Sequence, residues 1–166
     1  MRSRLITVVG SSGELTPEIA ELSERLGAAL VRAEYGIITA GRGGVAEAVS
    51  RGAIRKRGKA DSPPVLGLLA GVDPDAGNAY LDAAIPTGLG RGGHAVLATA
   101  GEAMVCVGGG TSAIAEVALA RKANRPVISL TPSGGAAGLV AKVMESVEAL
   151  PSIEGVIERL GKLLPR

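Results

Sequence analysis

The sequence predicts an α/β fold, a single doubly wound domain over residues 1–166 with a parallel sheet and helices on both faces. Three observations carry that expectation. Short runs of Val, Ile and Leu alternate with longer stretches whose apolar residues recur at helical spacing, the order of strands and crossover helices. Several of the short runs break into a glycine-rich bend before the next helical pattern begins. The 166 residues, 46% hydrophobic and 20% charged, are enough to bury one core, and no composition break or linker divides them.

The first run, LITVVG (Leu5 to Gly10), reads as a strand closing on a turn. A helix follows, with Thr16 as its N-cap, Pro17 at the first helical position, and Ile19, Leu22, Leu26, Ala29 and Leu30 on one face; it is expected to end near Gly36. YGIITAGRGG (Tyr35 to Gly44) repeats the device, and VAEAVSRGAIRKRG supplies the second helix. Residues 56–64, basic and then Pro-rich, read as a surface loop. VLGLLAG (Val65 to Gly71) is the next strand, with turn chemistry in DPDAGN behind it. A shorter strand ends at Pro86-Thr87-Gly88, and a helix is expected from about Gly92 to Ala100. MVCVGGGTSAIAEVALARK (Met104 to Lys122) holds a strand, three glycines and a helix, and RPVISLTPSGG holds one more strand. The tail reads either as two helices or, as we prefer, as a helix, a short strand near Ser146 to Leu150, and a helix starting at Pro151-Ser152. This succession is that of a Rossmann-like domain.

Composition excludes several function classes. With no Phe or Trp, two Tyr and a formal charge of +2, the chain lacks the stacking platforms and positive field of a nucleic-acid binder, so no nucleic-acid partner is expected. The five apolar residues before Gly10 are too few for a signal-peptide core, and no run approaches the length of a membrane span, so a cytoplasmic address and no membrane partner are expected. Cys106 is the only cysteine and sits between two valines, which suits a small buried hydrophobe. His94, the only histidine, reads first as a structural or helix-start residue, with catalysis as the lesser alternative; no metal site is expected.

Four glycine-rich bends remain: Gly10 to Glu14, Thr39 to Ala48, Thr87 to His94 and Val107 to Glu116. Each follows an expected strand, so in a doubly wound sheet all would lie along the carboxyl edge, where ligands bind as the strand order reverses. Glycine lets a guest approach the backbone, and a helix N-terminus offers unpaired N–H groups with partial positive charge, so an anion is the natural guest. The spacing lacks the third glycine of the dinucleotide fingerprint, and there is no P-loop. The candidate binding set is Gly10, Ser11, Ser12, Thr39, Gly41, Arg42, Gly43, Gly44, Thr87, Gly88, Gly108, Gly109, Gly110, Thr111 and Ser112, with hydroxyls as further donors. Arg42 and Arg91, each inside a GRGG, would suit bidentate contact with phosphate. Glu116, about one turn into its helix, is either a dipole-stabilised structural carboxylate or one aimed at the ribose or glycosidic carbon of a bound nucleotide. Glu47 holds a similar place after the second bend, where the structural role is preferred.

IITAGRGGVAEAVSRGA, IPTGLG and VCVGGGTSAIAEVALA resemble the small Rossmann-like family long labelled possible lysine decarboxylases, over roughly Leu5 to Leu130. That family includes the molybdenum cofactor carrier proteins and the lonely-guy cytokinin phosphoribohydrolases. No lysine stands in a recognisable pyridoxal phosphate context, so the decarboxylase label looks like a misnomer. The hydrolase motif P-G-G-x-G-T-x-x-E falls on Gly108 to Glu116. Its glutamate matches Glu116, whereas its proline becomes Gly108, its third glycine Ser112 and its threonine Ala113. The catalytic arginine that the resemblance implies falls on Gly93, so only Arg91, displaced by two residues, would replace it. Ala40 and Ala46 depart where the family usually has glycine and methionine.

The resemblance implies a binding protein for a phosphorylated, nucleotide-like ligand, most like the molybdenum cofactor carriers. No cofactor is required; the molybdenum cofactor or a nucleoside monophosphate is the expected cargo. The alternatives are a nucleoside 5'-monophosphate phosphoribohydrolase using Glu116 with Arg91, and a nucleotide-sensing oligomeric module. A homo-oligomer, dimer or tetramer, is expected from the resemblance and from the small apolar residues of GVAEAVSRGAIRK and TSAIAEVALARK.

Overall fold

Strand formation follows the apolar runs. In the computed structural model, which describes residues 4–57 and 62–165, these runs form β1 (Arg4–Gly10), β2 (Tyr35–Thr39), β3 (Val65–Leu69), β4 (Ala83–Pro86), β5 (Ala103–Val107), β6 (Val127–Leu130) and β7 (Val147–Leu150). Every pairing is parallel, in the order β4-β3-β2-β1-β5-β6-β7. The helices are α1 (Pro17–Arg32), α2 (Val45–Lys56), α3 (Gly93–Ala100), α4 (Thr111–Lys122), α5 (Gly135–Val143) and α6 (Ile153–Leu163). The fold is therefore the single Rossmann-like α/β domain that the alternation of elements predicts.

Side chains alternate across the sheet because the strand repeat is two residues. Ile6 and Val8 of β1, with Val105 and Val107 of β5, join Leu26, Leu30 and Val156 on the face covered by α1, α2 and α6. Val9, Met104 and Cys106 join Leu97, Val117 and Val140 on the face covered by α3, α4 and α5. Each fully buried Leu or Ile contributes about 1.5–3 kcal/mol, and both cores are aliphatic.

The element boundaries differ from the sequence expectation in two places. α1 stops at Arg32, before Gly36, because Glu34 takes a positive φ of 62° and turns the chain directly into β2. A short 3-10 turn at Gly90–Gly92 precedes α3, which starts at Gly93. The tail holds the short strand β7 and then α6, whose N-cap Ser152 accepts a hydrogen bond from Gly155 N. Of the surface loop expected at 56–64, residues 58–61 lie outside the described residues; α2 runs through Lys56.

Helices α1 and α2 approach each other at glycine. A Cβ on Gly27 would stand 2.0 Å from Val49 O, and one on Gly52 would stand 2.0 Å from Glu24 O. Arg51 Nε donates to Glu24 Oε1 at 2.8 Å across the same contact. The small residues of α2 are thus spent inside the molecule, which removes that helix as a reason to expect oligomerisation. Apolar residues do remain exposed on the opposite face: Val96 of α3, Leu119 of α4, and Leu139 and Val143 of α5.

Candidate functional site

The order of the strands reverses at β1, whose two neighbours are β2 and β5. Since all strands are parallel, every bend that follows a strand lies on one edge, and the bends after β2, β1 and β5 are adjacent there. The first residues of the bend after β4, Thr87 and Gly88, share the edge but stand apart. With neighbouring strands about 4.8 Å apart, β4 lies roughly 14 Å from β1. The donors of these two residues turn to the β3 loop instead: Thr87 N and Thr87 Oγ1 both donate to Leu69 O, at 2.9 and 2.8 Å, and Gly88 N donates to Gly71 O at 2.9 Å.

The three adjacent bends are tied together by their own hydrogen bonds. Gly109 N donates to Ser11 Oγ at 2.8 Å, Val45 N donates to Ser11 O at 2.8 Å, and Gly108 N donates to Ser133 Oγ at 2.7 Å. Ala136 N and Ala137 N, at the start of α5, donate to Gly109 O and Gly108 O at 2.8 and 2.9 Å. Gly109 has φ of 97° and carries two of these bonds, a conformation that side chains rarely adopt.

What is left unspent is the start of α4. α1 and α6 begin on hydroxyl caps, Thr16 and Ser152. α4 begins on Gly110 with no side-chain cap, and the first intrahelical donor there is Ile114 N, to Gly110 O at 3.2 Å. The N–H groups of Thr111, Ser112 and Ala113 therefore have no protein acceptor among the described residues. Gly110, Thr111 and Ser112 are exposed, and a Cβ on Gly110 would meet nothing within 4 Å. An uncapped helix start beside an open space at the strand-order reversal is suited to an oxyanion. α2 likewise starts on uncapped Gly44. A tetrahedral oxyanion suits such a donor set, because main-chain N–H groups supply the contacts without needing a metal.

The other expected donors are distributed unevenly. Ser12 and Arg42 are exposed beside the three bends, and Ser11 and Gly43 are half-buried there. Thr39 is fully buried and its hydroxyl accepts from Gly41 N at 3.0 Å, so it closes its own turn and is no ligand donor. Thr87 is spent on Leu69 O in the same way. Arg91 is exposed on the 3-10 turn before α3; its carbonyl accepts from Gly93 N, and its guanidinium makes no hydrogen bond or ion pair among the described residues.

Glu116 is the buried charge of the rim, 5% exposed, and its partner is His94: Nδ1 lies 2.7 Å from Oε1. His94 occupies the second position of α3, so this contact bridges the helices that follow the β4 and β5 bends. The hydrolase alternative gives Glu116 a catalytic companion in Arg91, in place of the family's arginine. The residue beside Glu116 is His94, and the signal was available, since the chain's only histidine directly follows Gly93, where the family's arginine falls. Burial raises the Glu116 carboxyl above its ordinary value, and the His94 hydrogen bond opposes the rise. Glu47 instead pairs with Arg51 at 3.5 Å on the α2 surface, the structural role preferred for it. Cys106 is buried, and desolvation followed by the Glu116 charge pushes its thiol up to about 12, so it stays a neutral core residue. Among the described residues no group of three His, Cys, Asp or Glu could hold a metal, and no helix is long and apolar enough to cross a membrane.

Because the Glu116 carboxyl is raised on folding, the native state holds its proton more tightly than the unfolded chain does, and stability falls as pH rises above the ordinary carboxyl range. Glu116→Gln is therefore expected to raise the melting temperature at pH 7, and the gain should shrink towards pH 4, where the unfolded carboxyl is itself protonated. Thermal melts at the two pH values check this.

An open groove of about 530 Å³ lies between α1 and α6, lined by Ala29, Arg32, Ile153 and Ile157. None of the glycine bends contributes to it.

Comparisons with known proteins agree with this architecture. The structure superposes on the molybdenum cofactor binding protein of the phototrophic bacterium Rippkaea orientalis with a TM-score of 0.85 and 27% identity, covering 99% of each chain. It superposes on the molybdenum cofactor carrier protein of Chlamydomonas reinhardtii with a TM-score of 0.80 and 25% identity, covering 99% of this chain and 100% of that one. An uncharacterized protein of Archaeoglobus fulgidus is 31% identical over 135 residues, 80% of this chain and 83% of that protein. The SLOG cluster4 family matches residues 3–158, and the chain belongs to that family.

Proposed function

We propose that this SLOG cluster4 protein binds a phosphorylated, nucleotide-like small molecule in the crevice between β1 and β5, as a carrier of the molybdenum cofactor type. The observation that carries the reading is the uncapped start of α4, where Gly110 leaves space and Thr111, Ser112 and Ala113 leave N–H groups unspent. Ser11, which ties the bends together, and Ser12 and Arg42 flank the same place. Similarity to cofactor-binding proteins of two organisms supports a pterin phosphate as cargo.

The test is calorimetric titration of the purified protein with AMP as a phosphate-bearing probe, together with mass spectrometry of any ligand that copurifies. Gly110→Ala is expected to lower the melting temperature far less than Gly109→Ala, because its φ is negative and its Cβ meets nothing within 4 Å. The same change should weaken AMP about tenfold or more, since the methyl group enters the space that a phosphate needs and displaces one charge-assisted hydrogen bond. Undiminished affinity in Gly110→Ala would remove α4 as the phosphate site.

A second reading has its own observation. Glu116, buried and paired with His94, resembles the carboxylate of the phosphoribohydrolases. Release of adenine and ribose 5-phosphate from AMP, abolished by Glu116→Gln, would establish that activity. We also propose a homo-oligomer that covers Leu119 with Ala115 and Ala118 on the exposed side of α4. Light scattering is expected to give at least twice the 16.5 kDa chain mass; a monomer at micromolar concentration would contradict it, and a change in size on adding AMP would indicate the sensing role.

A further inference from the structure

The Glu116–His94 pair has an inner and an outer member. The Glu116 side chain is 7% exposed and that of His94 is 35% exposed. When Glu116 is ionised its Oε1 only accepts, and the hydrogen of the 2.7 Å contact then belongs to His94 Nδ1. That bond fixes the tautomer and aim of the imidazole. His94 Nε2 is then the free nitrogen: it makes no hydrogen bond among the described residues and is not among the buried unpartnered atoms.

Position brings the start of α3, and His94 with it, to the carboxyl edge of the sheet. α3 packs over β1, β2 and β3, so its N-terminus stands above the strand ends beside the reversal of order. Glu116 is the sixth residue of α4, about 7.5 Å of helical rise beyond Thr111. Helical side chains lean towards the helix N-terminus, which carries both His94 and Glu116 back towards the rim. A carboxylate this close to a bound phosphate would repel it unless a cation stands between them.

We propose that His94 is a ligand-contacting residue of this site, its Nε2–H donating to a phosphate oxygen of the guest while Glu116 holds the ring through Nδ1. The inference rests on the proposed phosphate-binding reading and adds to it a side-chain cation that is fixed in place, unlike the exposed Arg42 and Arg91. The proton comes from solvent and remains on the imidazole in the complex, so binding takes up a proton wherever His94 is neutral beforehand. The other ionisable groups on the elements packed against α3 and α4 do not compete. Arg4, Tyr35, Arg121, Lys122 and Lys142 lie at the opposite ends of their elements, Arg91 is exposed on the preceding turn, and the Cys106 thiol is neutral.

A single histidine makes the test direct, because 15N-labelled protein has one imidazole spin system besides any tag. On titration with AMP, the His94 nitrogens are expected to move to imidazolium values in step with the amide signals of Gly109 and Gly110, and adenosine should cause no such shift. His94→Asn should weaken AMP about tenfold or more and abolish the buffer-dependent proton uptake seen by calorimetry, with the melting temperature as a control for folding. If the bend amides move and the imidazole does not, or if a folded His94→Asn binds AMP as tightly as wild type, the role of His94 is overturned and the phosphate site stands. If neither the amides nor the imidazole respond to AMP or to inorganic phosphate, both fall.

Discussion

Gly109→Ala is expected to abolish AMP binding, with a loss on the order of 100-fold or more, the equivalent of two charge-assisted hydrogen bonds. Its φ of 97° is beyond the range that an L side chain takes without strain, and its Cβ would lie 2.6 Å from the Cβ of Ala113 on α4. Relief means moving the start of α4 or rotating the Gly109 peptide. Either movement breaks the 2.8 Å bonds from Gly109 N to Ser11 Oγ and from Ala136 N to Gly109 O. The N–H groups of Thr111 to Ala113 then lose their common aim. Strain at such a position costs about 1–3 kcal/mol and overpacking about as much again, so a lower melting temperature accompanies the lost affinity. Gly110→Ala, one residue on, separates the two effects because it should lower affinity with little loss of stability. Urea denaturation beside calorimetry distinguishes them.

Gly27→Ala is expected to destabilise the fold by about 2–3 kcal/mol even though alanine is the better helix former. The propensity gain in mid-helix is about 1 kcal/mol. Against it stands a Cβ 2.0 Å from Val49 O and 2.8 Å from Val49 C, backbone atoms of α2 that cannot rotate away. The two helices must part, which uncovers Leu26, Leu30 and Val49 of the larger core and lengthens the Arg51–Glu24 ion pair. Gly161→Ala in α6 is the control: nothing lies within 4 Å of its Cβ, so there the propensity term acts alone and stability should rise. Denaturant midpoints of the two variants should move in opposite directions. Equal shifts would mean that the α1–α2 approach is looser than the described geometry.

The strands were legible because β-branched residues recur in short runs bounded by glycine, and the starts of α1 and α6 were legible because Thr16 and Ser152 are hydroxyl caps at the right offset. So was the collection of glycine bends on one edge, which follows from parallel strands alone. Four features depended on distances that a single sequence does not encode. The placement of β4 outside β3 moves Thr87 and Gly88 away from the crevice, and strand order is not written in local pattern. The Thr39 hydroxyl looked like a ligand donor because its type fits, but a buried hydroxyl closes the nearest unsatisfied N–H, here Gly41. The His94–Glu116 contact joins residues 22 apart across two helices and β5, so helical periodicity could not pair them. Likewise the small residues of α2 resembled an intermolecular face until Gly27 and Gly52 were seen to serve the contact with α1.

The most direct measurement is a crystal structure of the protein soaked with AMP. A phosphate with its oxygens about 3 Å from the N–H groups at the start of α4, with Ser11 and His94 on its flanks, is the expected result. A phosphate seated elsewhere, whether in the groove between α1 and α6 or at the β4 bend, would contradict the central claim that the uncapped start of α4 is the anion site.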